Sequence, residues 1–452
     1  MLRPAIGAQG AGEEFVKLKR LLLYISMACA SAGIAFGQPD CKVSTKLICQ
    51  FPVSAQDLAT NVTGGNVNSP VYEAAFKSAL KAAGAINEAV AAQLTELPVP
   101  SATFGVVSLR RKGHEGGVPF DNLGPILTDR PDTVGQGHLF GGFSFQHFSF
   151  NAIDGKYLGA LPIGFNFKIP NSTTTFYGST SNQVSFQLNQ FVGLLTYGLN
   201  KNTDLSVIVP VNHVNLQVTS SNFTALEKSC DACGFNSVPG SNSTVFTPGS
   251  ATGIGDVVLN LKHMFVGMEG DRTAVALGGT FRLPTGDAFN YLGSGALGGS
   301  LYTLMEYRAK VAPHAKIAYQ WNDGSKALNL QGGSSPRLPG GLQYAVGTDA
   351  RLFDHITVAG DILGNQTVNG GTFNTSASTV TTSLGPATLY ETTANKNSYT
   401  TVHFSGGVKF TPHPGLILYA NVLVQLNNVG LRSEPVPLFG IAYNMKRHSK
   451  TN

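Results

Sequence analysis

The stretch Leu301-Tyr-Thr-Leu-Met-Glu-Tyr-Arg-Ala-Lys-Val311, followed by Ala315-Lys-Ile-Ala-Tyr-Gln-Trp-Asn322, decides the fold of this 452-residue chain. In the first segment Leu301, Thr303, Met305, Tyr307, Ala309 and Val311 share one face, while Glu306, Arg308 and Lys310 lie on the other. In the second, Ala315, Ile317, Tyr319 and Trp321 oppose Lys316, Gln320 and Asn322. Successive side chains of a strand point to opposite sides, so this period of two marks strands whose faces meet different surroundings. The pattern returns at 342–352, where Leu342, Tyr344, Val346 and Leu352 oppose Gln343, Asp349 and Arg351. It returns again at 356–362, with Asp361 on the polar face. At 402–410, Val402, Phe404, Val408 and Phe410 oppose Thr401, His403, Ser405 and Lys409.

The strands run about nine to thirteen residues, the length of a tilted strand crossing a bilayer. Their links alternate in length. Tight turns are expected near Asn200-Asn202, Met268-Asp271, Pro313-His314, Phe353-His355 and Pro412-Gly415, and long polar loops at 220–252, 285–296, 323–340 and 367–397. Short turns at one end and long loops at the other are the layout of a transmembrane β-barrel. The pattern predicts an all-β, antiparallel transmembrane barrel of 12–14 strands over residues 126–445, preceded by an N-terminal helical segment. Two phase breaks, near Gln190 and His213, are expected to be bulges. A soluble β-sandwich would also alternate, but its aromatics would point into a shared core. Here the apolar faces carry aromatics near strand ends, as a lipid-facing girdle does.

Composition agrees with this reading. Hydrophobic residues make up 42% of the chain, too many for a disordered one. Only one apolar run approaches the ~20 residues of a membrane helix, and it is N-terminal. There Lys17, Lys19 and Arg20 precede Leu21 to Phe36, and Ala35-Phe36-Gly37 offers cleavage before Gln38, so residues 1–37 read as a signal peptide. Removing them leaves 27 basic and 24 acidic side chains, a net +3 that gives no reason to expect nucleic acid as a partner. Cys41, Cys49, Cys230 and Cys233 remain, an even number behind an export signal, which favours disulfides.

Residues 38–125 form a separate plug-like segment. Ser69-Pro70 starts a helix whose Tyr72, Phe76, Leu80, Ala83, Ile86, Val90, Leu94 and Leu97 recur at helical spacing until Pro98. Such a stripe must bury itself, and a barrel mouth or interior at the periplasmic side is the expected surface. At the other end, Gly440, Tyr443 and Met445 occupy a final strand resembling the signal read by the barrel-assembly machinery, followed by a polar tail, 446–452.

Residues 197–210, Tyr-Gly-Leu-Asn-Lys-Asn-Thr-Asp-Leu-Ser-Val-Ile-Val-Pro, form a strand–turn–strand signature. Gly253-Ile-Gly-Asp-Val-Val-Leu-Asn-Leu-Lys262, Phe281-Arg-Leu-Pro-Thr-Gly-Asp287 and Gly124-Pro-Ile-Leu-Thr-Asp-Arg-Pro-Asp-Thr133 are further distinctive pieces. Together they resemble the outer-membrane transporter family labelled for the meta pathway of phenol degradation, in particular members from soil bacteria. The resemblance covers about 125–290 in clear pieces and implies passage of small aromatic or apolar compounds across an outer membrane. It carries over no binding residues.

Sequence motifs for other chemistry are weak. Gly293, Gly295 and Gly298 spell G-x-G-x-x-G, but a loop precedes them and a strand follows, the reverse of a dinucleotide site. Cys230-Asp-Ala-Cys233 sits in a Ser/Asn-rich stretch, which favours a loop staple over redox catalysis. No nucleophile motif or metal-ligand spacing is present, so neither an enzyme nor a cofactor is expected. Of the histidines, His138, His147, His213 and His403 are the ones with a prospect of facing the lumen. On the inferred lumen faces stand Lys262, Arg282, Arg308, Lys310, Lys316, Arg351 and Lys409, against Glu306, Asp349 and Asp361. That basic excess fits either an anion-favouring pore or a closed lumen filled by salt bridges.

Overall fold

A computed structural model describes Cys41, residues 44–54, Glu73, Gly84, 86–97, 123–168, Asn171, 173–267, 271–328, 336–353, 355–413 and 415–445. The expected signal peptide, the N-terminal half of the expected helix (Tyr72 to Ala83, Glu73 excepted) and the polar tail lie outside these residues.

Twelve antiparallel strands close on themselves. They are β1 (Leu139–Ile153), β2 (Thr175–Asn200), β3 (Thr203–Lys228), β4 (Phe235–Ile254 continuing as Val257–Val266), β5 (Thr273–Leu283) and β6 (Gly298–Tyr307). Then follow β7 (Val311–Asn322), β8 (Gly340–Phe353), β9 (Ile356–Thr382), β10 (Gly385–His413), β11 (Leu416–Gln425) and β12 (Val436–Met445). Each pairs with its sequence neighbours, and β12 returns to β1 in register from Leu139↔Met445 to Gln146↔Leu438. Closure matters physically. A strand has no intrinsic partner for its N–H and C=O groups, hydrocarbon offers none, and only a ring of strands leaves no edge.

Alternation then assigns the faces. On β6, Leu301 and Met305 are 65% and 53% exposed, while Tyr302, Leu304 and Glu306 are buried. On β7, Ile317 and Tyr319 point out, and Ala312, His314 and Gln320 point in. The chain enters and leaves at the end carrying the short turns, so that end is periplasmic by the usual barrel layout. An apolar outer band on a closed ladder places the protein in a bacterial outer membrane.

Three expectations need correction. The turn placed at Pro313-His314 falls at 308–310, and Pro313 lies inside β7. Pairing of β7 with β6 begins only at His314↔Glu306, so the N–H that Pro313 lacks interrupts no ladder on that side. The long polar stretches 220–252 and 367–397 are largely strand. β3 and β4 stay paired to Lys228↔Phe235, and β9 and β10 to Thr382↔Gly385. Above the membrane both faces of these hairpins approach water, so Ser, Thr and Asn replace the apolar alternation that reveals a strand.

The expected bulges near Gln190 and His213 are also absent: Asn189↔His213, Gln190↔Asn212 and Phe191↔Val211 pair in unbroken register. What changes there is the polarity of the two faces. Below this level β2 and β3 point Phe191, Leu195, Leu205 and Val211 outward and bury a mixed face, Thr196, Asp204 and Ser206 with Val192, Leu194 and Ile208. Above it they point Gln187, Asn189, His213 and Gln217 outward and bury Phe186, Leu188, Val214 and Leu216. The strand leaves lipid for water, and its inner face becomes an ordinary apolar core. Phe145, which pairs with Phe191, and His147, which pairs with Asn189, mark the same level on β1. The contacts His147 Nδ1–Asn189 Oδ1 and His213 Nδ1–Thr252 Oγ1, both 2.7 Å, run just above the aromatic ring pair Phe145–Phe191 at 4.9 Å. This row is the outer boundary of the membrane band.

That boundary predicts a sharp contrast. Leu195→Arg, on the lipid face below the boundary, should destabilise the folded barrel by about 2–4 kcal/mol. Gln187→Arg, on the same face eight residues higher, should cost nothing measurable. Denaturant titration in phospholipid vesicles compares the two, and equal losses would misplace the boundary.

Candidate functional site: a filled lumen and its central chamber

The barrel wall begins at Leu139, later than the expected residue 126, because residues 123–134 lie inside the lumen as part of its filling. This segment crosses the periplasmic end and is fixed to the wall by charge. Lys409 Nζ donates to the carbonyls of Leu123 (2.9 Å) and Pro125 (2.6 Å). Lys262 Nζ donates to those of Arg130 (2.8 Å) and Asp132 (2.7 Å) and stands 3.6 Å from Asp129. The Arg130 guanidinium lies 2.7 Å from Glu306 and 2.9 Å from Asp132, and Arg308 also meets Asp132. The Val134 amide donates to Asp204 at 2.9 Å. An irregular segment cannot satisfy its own carbonyls, and buried ones need donors. The wall lysines supply them, while the segment's carboxylates and guanidinium balance the wall's charges.

The outer end is closed differently. Residues 86–96 form a helix inside the lumen with Ile86, Val90 and Leu97 buried, joined by Asn87, Ala89, Ala91 and Ala92 on its other sides. Burial of residues on several sides of its N-terminal turns marks a helix enclosed by its surroundings, with its polar residues Asn87 and Glu96 hydrogen-bonded to the wall and loops. It contacts the side of the long loops rather than the expected periplasmic side: Asn87 bonds Tyr291, and Glu96 accepts from Thr367 Oγ1 at 3.0 Å. Residues 44–54 sit at that mouth too. Lys46 pairs with Asp287 at 2.7 Å, the Leu47 amide donates to Asn290 Oδ1, and Ser54 meets Ser220. The reason lies in the wall. Above the polarity switch the inner faces of β2 and β3 carry an apolar run, Val184, Phe186, Leu188, Val214, Leu216 and Val218, that matches the apolar residues of the helix, whereas below it apolar and polar residues are mixed.

The Gly-rich loop completes this closure. Asp256, at the break in β4, accepts from the Ser294 amide and hydroxyl (2.8 and 2.5 Å) and the Gly286 amide. A side chain at Gly293 would collide with Asp256, so G-x-G-x-x-G here serves loop packing. Disulfides Cys41–Cys49 and Cys230–Cys233 staple the N-terminal segment and the β3–β4 hairpin tip. Burial pushes the Glu88 carboxyl up, against the pull of Lys396, and likewise raises Asp154, which accepts from the Phe373 and Gly430 amides and ties three outer connections together.

Between the two closures lies a chamber of about 270 Å³. Thr95, Glu96 and Leu97 line it from the helix side and Leu127, Thr128 and Asp129 from the base. The wall contributes Asn260, Arg282, Tyr302, Lys316, Gln320 and Gln343 as polar groups, and Phe148, Ile208, Val258 and Leu363 as apolar ones.

The ten charged residues expected on the lumen face therefore separate by place. Lys262, Glu306, Asp349, Asp361 and Lys409 are buried near the periplasmic end. Lys316 and Arg282 line the chamber, the latter donating to Asn322 at 2.6 Å. Arg351 sits at the inner edge of β8, half-buried. Arg308 and Lys310 belong to the β6–β7 turn; Lys310 is exposed there, because the strand ends at Tyr307 and its alternation stops. Of the histidines, His403 lines the chamber, His147 and His213 face outward, and His138 precedes β1. The sequence reading missed His314, buried with Nε2 2.5 Å from Asp361 and Nδ1 3.2 Å from Asp349. It also gave no role to Asp129, Arg130 and Asp132, whose charge density just before a strand was the available signal.

No family model matches the chain, and no curated protein sequence matches it. Among solved structures it is similar to an outer-membrane channel of Pseudomonas putida F1, with 13% identity over 70% of this chain and 98% of that one, at a TM-score of 0.44. It is similar to a Pseudomonas aeruginosa FadL homologue, with 11% identity over 69% and 90%, at 0.29. A TodX monoaromatic hydrocarbon channel mutant shares 11% over 70% and 93%, at 0.24. At such scores the likeness carries no argument; the closed ladder establishes the barrel by itself. Fold and filling define the class: an outer-membrane β-barrel whose own N-terminal chain occupies its lumen.

Removing one partner from a buried charged contact costs about 3–5 kcal/mol. Lys409→Met is therefore expected to speed amide exchange across 123–134 at least tenfold while the wall ladders keep their protection. Hydrogen-exchange mass spectrometry reads both regions. Unchanged exchange in 123–134 would show that Lys409 does not hold the segment.

Proposed function

We propose that the protein is a gated outer-membrane channel or transporter for small molecules, held here in a closed state. The observation that supports it is the chamber. It is enclosed by two segments that are not part of the wall, and the outer one, held by fewer charged contacts, can move without opening the hydrogen-bonded ring. A purely structural barrel has no need of a space sealed by detachable parts. Following the resemblance of 197–210, 253–262 and 281–287 to the phenol-pathway family, the cargo we propose is a small aromatic or apolar compound. The wall reaches the membrane through the barrel-assembly machinery, with Tyr443 and Met445 of β12 as its signal.

A second reading has its own support. The β3–β4 and β9–β10 hairpins rise well above the membrane band and touch at Thr382↔Phe235, a platform suited to surface interaction. Two deletions separate the readings in planar bilayers. Removing 41–105 from refolded, heat-modifiable protein should enlarge single-channel steps, whereas removing the hairpin tip 372–395 should leave them as they are. Identical, silent bilayers from wild type and the 41–105 deletion would end the channel reading and favour the platform.

A further inference from the structure

Chambers for drug-sized ligands run to roughly 300–1,000 Å³, so the space here suits something smaller. Its charges are unequally engaged. Arg282 is committed to Asn322 (2.6 Å) and stands 3.6 Å from Asp256. Asp129 accepts from the Arg130 amide (3.0 Å) and stands 3.6 Å from Lys262. Glu96 accepts from Thr367 at the helix end. Lys316 differs: among the described residues it has no hydrogen-bond or ion-pair partner. Its cross-strand neighbours on the inner face are Leu304 and Ala345, neither of which carries an acid. Its ammonium rests 5.1 Å from the centre of the Tyr302 ring, and the Tyr302 hydroxyl is itself held by Asn260 at 2.7 Å. The side chain is half-buried, and the surface it keeps opens into the chamber.

Asp129 at the chamber's base acts on this ammonium through space, but among the described residues no carboxylate contacts it. An ammonium enclosed in a barrel beside an aromatic face, without a contacting anion, is a recognition group. We propose that the chamber binds a small amphiphilic organic anion, its carboxylate on Lys316 and its apolar body against Phe148, Ile208 and Leu363. This rests on the channel reading and names its cargo class. Glu96 borders the chamber on the helix side and Asp129 at the base, so Lys316 on the wall is where the anion's charge is held. Gln320, which donates to Thr95 of the helix at 3.0 Å, stands four residues along β7 on the same inner face, so the site adjoins the outer gate.

Benzoate and its neutral counterpart benzamide serve as probes, by equilibrium dialysis against the full chain folded in detergent micelles. Benzoate should bind at least tenfold more tightly than benzamide. Lys316→Met should erase that difference without weakening benzamide, and Lys316→Arg should preserve it; heat-modifiability confirms that each variant folds. Equal binding of the two probes to wild type, no binding of either, or a preference that survives Lys316→Met overturns the proposal. Uptake into vesicles separates it from the channel reading. Entry of benzamide with no benzoate preference leaves the channel standing and removes the anion site. Benzoate held at Lys316 with neither solute crossing keeps the site and removes the channel.

Discussion

Hydrocarbon offers no hydrogen-bond partner to a backbone, and the rest of this structure follows from that deficit. The ladder must close, so β12 returns to β1 along eight paired positions. Closure of twelve strands then encloses a lumen lined by whatever the inner half of each alternation supplies. In this chain that includes Lys262, Glu306, Asp349, Asp361 and Lys409, groups far too polar to face each other across empty space. The N-terminal chain answers this by bringing carbonyls, carboxylates and a guanidinium to where the wall needs them. Wall and filling are therefore one electrostatic unit at the periplasmic end.

The basic excess on the lumen face takes a different meaning in this light. Lys262 and Lys409, which suggest an anion-favouring pore when the wall is viewed alone, act as donors to the carbonyls of 123–134. The salt-bridged filling is the better account of that end. Of the remaining basic residues, Arg308, Lys310 and Arg351 stand at the periplasmic edge, while Arg282 and Lys316 border the chamber at mid-depth, where positive charge meets open volume.

The two closures differ in kind, and the difference suits a gate. The inner one is made of ion pairs and backbone carbonyls, contacts whose loss leaves charge uncompensated. The outer one relies mainly on apolar packing of the 86–96 helix and residues 44–54 against the upper wall, with hydrogen bonds such as Asn87 to Tyr291 and the partly exposed ion pair Lys46–Asp287. A helix held mainly by non-directional contacts can shift by a turn at lower cost than a segment held by specific charges.

The alternation at 301–307 and 315–322 determined strand direction and face unaided, because a period of two is local and lipid enforces it on every spanning strand. The antiparallel barrel, most of its short turns and a helix over 86–96 were likewise legible, whereas the long polar stretches 220–252 and 367–397 hid extended strands. The break at Gln190 and His213 was visible but misread, since a polarity inversion and a bulge leave the same trace when the level of the membrane is unknown. Only the tertiary structure decided which charges meet. Asp129 and Arg130 reach Lys262 and Glu306 across more than a hundred residues, and His314 lies between two acids of other strands. Such pairings depend on how the ring closes and which segment enters it. No local pattern encodes that, because each residue's partner comes from a strand whose position is fixed by all the others.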